Sequence, residues 1–176
     1  MSEHETIEKV KEKQGILSKI QNFFTLGYGT KEDLRELDKK LRDLYYVELR
    51  DLRHVWEDLY LAAMDANAAQ SRDYKQVIQV LDRVTEKVRH ADYGYAGLWD
   101  RKGHIRENEL ARVFNFDRDV GKELDGLKVS ISKAKNEADA ENWTTVSAEV
   151  KNVKHLLLAF EERWNERITK FRPLDM

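Results

Sequence analysis

Between Leu34 and Ala66 the apolar residues fall at steps of three and four: Leu34, Leu37, Leu41, Tyr45, Leu49, Leu52, Trp56, Leu59, Ala63 and Ala66. Only an α-helix turns that spacing into a single stripe, and the stripe has the form of a coiled-coil seam. Nothing interrupts it, because the one proline of the chain is Pro173. A helix over residues 31–67 is roughly 55 Å long at 1.5 Å per residue. A helix of that length with one apolar stripe must bury the stripe against other helices. Glu36 with Lys40 and Asp38 with Arg42 make i,i+4 ion pairs on its polar side.

The rest of the chain repeats the pattern. Ile7, Val10, Leu17, Ile20 and Phe24 predict an amphipathic helix over residues 4–24, weakened in its middle by Gly15. Thr25 to Gly29 read as a break, after which Thr30 suits an N-cap with Glu32 and Asp33 in the first turn. Ser71 suits the N-cap of a third helix over 72–91, with Tyr74, Val77, Leu81, Val84 and Val88 inward. A fourth helix over 105–138 carries Leu110, Val113, Val120, Leu124, Leu127, Ile131 and Ala134. Gly121 and Gly126 inside it mark a bend or a close helix crossing. Asn142 suits the cap of a fifth, with Trp143, Val146, Val150, Val153, Leu157, Phe160, Trp164 and Phe171 inward, ended by Pro173.

Two of these segments match at an offset of 69 residues. Tyr74, Val77, Leu81 and Val84 line up with Trp143, Val146, Val150 and Val153, and upstream Leu41, Tyr45, Glu48 and Val55 line up with Leu110, Phe114, Asp117 and Leu124. The expectation is an all-α antiparallel bundle of four long helices, built as two helical hairpins with an internal repeat, plus an N-terminal amphipathic helix. Residues 1–29 form that helix and its linker, and residues 30–176 form the bundle as a single domain. The third helix, near 30 Å, is too short to cover the second, so the overhang around Leu34 to Tyr45 needs a further apolar partner. The first helix, the aromatic connection, the fifth helix or a second subunit in a homodimer would each supply one.

Composition narrows the functional classes. The 31 basic and 33 acidic residues leave a net charge of −2, which offers no electrostatic footprint for nucleic acid. The chain has no cysteine, so a disulfide framework, thiolate catalysis and a thiolate zinc site are excluded, and a reducing cytoplasm is the expected compartment. Glu3, Glu5 and Glu8 stand where a secretory signal would be basic, and no run approaches the ~20 apolar residues of a membrane span. Asn142-Trp143-Thr144 fits the N-glycosylation pattern, but helix capping is the better role for Asn142.

The enzyme chemistry most worth testing on a four-helix chain is the carboxylate-bridged di-iron site, which needs Glu from two helices and Glu-x-x-His on the other two. The chain has none. Asp51-x-x-His54 and Glu86-x-x-x-His90 are the nearest approximations, and the 100° step per residue places His54, His90 and His155 opposite their own apolar stripes. No metal, no cofactor and no catalysis are therefore expected. Phosphate loops, nucleophile elbows and zincin motifs do not occur. Glu48 and Asp117 lie on or beside apolar stripes and are candidate buried carboxylates; pairing with a tyrosine hydroxyl, Thr85 or an arginine would make them register-setting groups. A catalytic or ligand-binding carboxylate pair, or a carboxylate metal site, is the enzymatic alternative.

The expected function is non-catalytic interaction or scaffolding with a protein partner. Candidate partner-binding residues are Ile16, Leu17, Ile20, Phe23 and Phe24 on the N-terminal helix and Tyr93, Tyr95 and Trp99 in the glycine-containing connection. The exposed part of the second helix would complete the surface. Ile16 to Leu26 would also suit a membrane interface, making a peripheral membrane-surface protein the first alternative, although only Lys13 and Lys19 lie nearby as basic anchors.

Overall fold

The computed structural model describes residues 3–26, 31–69, 72–91 and 107–171. Among them are five helices, α1 (Glu3–Leu26), α2 (Lys31–Asp65), α3 (Asp73–Arg89), α4 (Glu107–Asp139) and α5 (Trp143–Phe171). The protein is an all-α bundle of two antiparallel hairpins, α2–α3 and α4–α5, with α1 laid on the long helices. The helix ends fall within a few residues of the periodicity's limits. Gly15 sits inside a continuous α1, and Thr25 and Leu26 extend that helix into the expected break.

The core follows the seams. Leu41, Tyr45, Leu49, Leu52, Trp56, Leu59 and Ala63 are buried along α2, and Val146, Val150, Val153, Leu157, Phe160 and Trp164 along α5. Trp56 donates its indole N–H to the carbonyl of Tyr74 at 3.0 Å, tying the two arms of the first hairpin. Tyr45 and Trp164 meet edge to face with centroids 6.3 Å apart, so the two hairpins share one core. Ile16 and Ile20 of α1 belong to the same cluster.

The hairpins lie side by side and run the same way. Lys154 bonds Asp73 while Lys87 bonds both Glu161 and Asn165, so α3 and α5 rise together. Tyr45 of α2 reaches the Asp117 carbonyl and lies beside Gly121 of α4, which sets the level of the long helices.

This packing corrects the repeat. On the long helices the buried residues Leu49, Leu52, Trp56, Leu59 and Ala63 find buried counterparts 75 positions on, at Leu124, Leu127, Ile131, Ala134 and Ala138. An offset of 69 instead sets Trp56 against exposed Asp125 and Ala63 against exposed Ser132. On the return helices Tyr74, Val77, Leu81 and Val84 correspond to Val150, Val153, Leu157 and Phe160, 76 positions on. The 69-residue match survives there because it differs from 76 by one heptad, which leaves a seam nearly in phase. Along the long helices it is one residue out of phase, a rotation of about 100°. The turns differ in length: residues 66–72 join the first pair of helices, and 140–142 the second. Asn67 and Glu141 take positive φ in these turns, at 54° and 58°.

The overhang of α2 meets α1. Running antiparallel to α2, α1 pairs Lys9 with Asp51 and Lys13 with Glu48, and packs on both α2 and α4. Its buried face is Lys13, Ile16 and Ile20, with Leu17 at the flank. Of the expected stripe Ile20 is buried and Leu17 half-buried, while Ile16 and Lys13 take the inner positions.

Candidate functional site

Three features gather the chemistry of the described residues: a buried ion cluster at one end of the bundle, the seat of Lys13, and an open groove beyond it.

The ion cluster joins α2, α4 and α5. Arg167 is 1% exposed and occupies the seam position one turn after Trp164. Its Nε donates to Asp117 Oδ1 at 2.7 Å and its Nη2 to Asp38 Oδ1 at 2.6 Å. Asp38 also accepts from Arg42 at 3.2 Å, and Arg42 in turn donates to the Ala91 carbonyl at the end of the first hairpin. The Arg167 guanidinium lies 5.1 Å from the centre of the Trp164 ring, a cation–π contact in a dry setting. Such a network fixes which end of each helix meets which, and a cation flanked by two carboxylates within this core is a locked structural pair. Sequence reading placed Asp38 with Arg42 but missed Arg167; the signal was a charged residue on a seam otherwise made of Leu157, Phe160 and Trp164.

Glu48 and Asp117 are both buried, at 3% and 0% exposure. They are served by different cations, Glu48 by Lys13 and Asp117 by Arg167. Their equivalence in the repeat does not hold in the corrected register, where Glu48 corresponds to Glu123, which accepts from Arg163 at 3.2 Å. Elsewhere Glu161 is held by Arg83 and Lys87, and their hydrogen bonds pull its carboxyl down to about 2.

Lys13 is the buried cation of α1. Its Nζ lies 3.0 Å from Asp125 Oδ1, 3.3 Å from the Gly121 carbonyl and 3.6 Å from Glu48 Oε2, and 5.3 Å from the Tyr45 ring centre. Gly121 makes the room: a Cβ there would stand 2.9 Å from the Tyr45 hydroxyl and 3.2 Å from Lys13 Cε. Gly126, by contrast, faces open space. Tyr45 is desolvated beside Asp117, which holds its hydroxyl protonated well beyond the ordinary range, and the hydroxyl donates to the Asp117 carbonyl at 3.1 Å.

Beside Lys9 a hollow lies between α2 and α4. A cavity of about 670 Å³ there is lined by Leu52, Val55 and Val129 among the charged and polar groups Lys9, Asp51, Lys128, Ser132 and Asn136. Val129 is 70% exposed at its edge. It continues the seat of α1, since Lys9, Glu48 and Asp51 border both.

Of the residues singled out from sequence, Ile16 and Ile20 are spent on the core and Leu17 is half-buried against it. The side chains of Phe23 and Phe24 lie outside the described residues, as do Tyr93, Tyr95 and Trp99 altogether. His54, His90 and His155 are exposed, and among the described residues no three His, Asp or Glu side chains gather as metal ligands. No helix among the described residues is long and apolar enough to cross a membrane. Comparison with protein-family models, with curated proteins and with solved structures found no match.

Proposed function

We propose that this chain is a non-catalytic helical interaction module of the cytoplasm that grips a protein partner in the furrow between α2 and α4. The observation that carries this reading is the cavity above Lys9, whose apolar floor of Leu52 and Val55 is ringed by Lys9, Asp51, Lys128 and Asn136. An apolar centre with a polar rim is the anatomy of a protein interface. The deeply buried charges support the same reading, because Arg167, Asp38, Asp117, Lys13 and Glu48 are engaged with one another across helices.

The test is site-specific photo-cross-linking in the cell of origin, with the probe at Val129 beside the cavity and a control probe at exposed Leu158. One discrete adduct from position 129, absent from 158, is the expected result. The same ladder from both positions would remove the support for a specific groove. Docking to a membrane through α1 is less favoured, since Ile16 and Ile20, which would enter lipid, are buried in the core. Pelleting of the chain with anionic vesicles would restore that reading.

A further inference from the structure

We propose that the outer face of the first hairpin is a self-docking surface, through which two copies of this chain pair about a two-fold axis parallel to the helices. The inference does not rest on the partner reading above, because it uses the α3 flank of α2 and not the side toward α4.

The centre of the surface is apolar and lies on α2 near the turn. Leu61 and Met64 stand about one helical turn apart and are 53% and 51% exposed. Single exposed apolar residues are ordinary, but two large ones side by side are not. Three contacts fix what lies opposite them. The Trp56 indole reaches the Tyr74 carbonyl, the Tyr60 and Tyr74 rings lie 6.1 Å apart, and Arg53 bonds Asp82 at 2.9 Å. The two helices are therefore antiparallel, with Tyr60 level with Tyr74 and Leu61 close to the height of Lys75. At 100° per residue Tyr60 and Met64 fall within about 20° of the Arg53 face, and Leu61 points about 80° further outward. Lys75 likewise falls within about 20° of the Asp82 face of α3. Tyr60 and Ile78, partly buried against the core, floor the space between.

The rim is charged, with opposite signs on its two sides. Asp58 and Asp65 flank Leu61 along α2, three residues before it and four after. Arg72 and Lys75 stand on α3 across from them. All four are exposed, and none has an ion pair among the described residues. Arg53, Glu57 and Asp82, by contrast, are spent on one another within the chain.

An apolar centre with unpaired acids on one side and unpaired bases on the other complements itself. A two-fold axis lying in this face and parallel to the helices keeps every height and exchanges left for right. It sets α2 of one copy against α3 of the second. Asp58 and Asp65 then meet Arg72 and Lys75 of the second copy on both sides of the axis, and Leu61 and Met64 close over its Ile78. An axis across the helices would instead set α2 on α2 and bring acid against acid, so charge selects the first arrangement. With two large apolar side chains from each copy, the contact belongs to the small, reversible class, on the order of 1,200 Å² in total or less. The α2–α4 side, with α1 on it, stays outside the contact.

The test is sedimentation velocity of the full chain from about 1 µM to about 1 mM, the range in which a contact of this size dissociates. The wild type should pass from monomer to dimer within it. D58K/D65K and R72E/K75E each place like charges on both sides of the rim, and each should dissociate at least tenfold more readily than the wild type. Mixed in equal amounts they restore opposite signs on both sides, and should pair to within threefold of the wild type. A wild-type chain that stays monomeric throughout overturns the inference. So does a dimer that both charge variants leave intact, or a mixture that pairs no better than either variant alone. Should a double variant fail to fold, Leu61→Glu takes its place: at least tenfold weaker pairing is expected, and unchanged pairing overturns the inference.

Discussion

Arg167 should be the most costly single residue to neutralise. It is 1% exposed and stands between Asp38 and Asp117, themselves 3% and 0% exposed at their side chains. Arg167→Met keeps most of the side-chain length, so little packing is lost. What is lost is a buried counter-charge of Asp117, whereas Asp38 still has Arg42 at 3.2 Å. Removing one partner of a buried pair costs about 3–5 kcal/mol, because the remaining ion stays desolvated. The loss should be read by urea unfolding followed at 222 nm, as a lower midpoint with an unchanged slope. The double variant R167M/D117L removes the stranded charge as well, and Tyr45 keeps its acceptor because that bond goes to the main-chain carbonyl of residue 117. It should recover at least half of the loss, a coupling of about 2 kcal/mol or more. A single-variant cost below about 1 kcal/mol, or additive effects in the cycle, would refute the claim that this cluster is a mutually dependent buried network.

The tryptophans are a second test: Trp56→Ala and Trp164→Ala, both at fully buried sites, should each cost about 3–5 kcal/mol by the same measurement, and a cost below about 1 kcal/mol would show that the core is not where the seams place it. The two glycines of α4 should respond with opposite signs. Gly126→Ala, in open space, should gain about 0.5–1 kcal/mol from helix propensity, whereas Gly121→Ala should lose about 1–2 kcal/mol by pressing on Tyr45 and Lys13; gains at both sites would mean that α1 is not seated there. Glu161 predicts an acid limb. Its folded-state value is about 2 against an ordinary 4.5, so the stability it contributes is present above pH 4.5 and drains away as pH falls toward 2. With Arg83 half in solvent that contribution is discounted to about 1 kcal/mol, and Glu161→Gln should be less stable at pH 7 yet lose less between pH 5 and 2; parallel pH profiles would contradict it.

The helices were legible because their seams are long and interrupted by no proline before Pro173, which makes period and length agree. The registry between them was not. A heptad seam nearly superposes on itself every seven residues, so Val77 matches Val146 in sequence and Val153 in space with equal apolar quality. Only contacts across helices, such as Lys87 with Glu161, decide between them. The face of α1 was misread for a different reason. Period alone counts a lysine as polar, and nothing local announces that Gly121, more than a hundred residues away, leaves a notch for Lys13. Arg167 escaped in the same way: its two carboxylates sit on two other helices. The groove itself had no sequence signature, since its lining comes from three helices, Lys9 of α1, Leu52 and Val55 of α2 and Val129 of α4.

The like-with-like stacking of the hairpins has a consequence for how this architecture can grow. Units related by a sideways shift are not closed by a two-fold axis, so the outer flank of the first hairpin and the outer flank of the second are different surfaces. A third hairpin added by the same shift would meet no geometric barrier, as in helical solenoids. The crevice of each hairpin is polar on its outer side. Part-exposed bridges cross the crevices, Arg53 to Asp82 in one and Arg163 to Glu123 in the other, where a further unit would need apolar residues. Two units and the helix α1 laid across them are the whole of the array among the described residues.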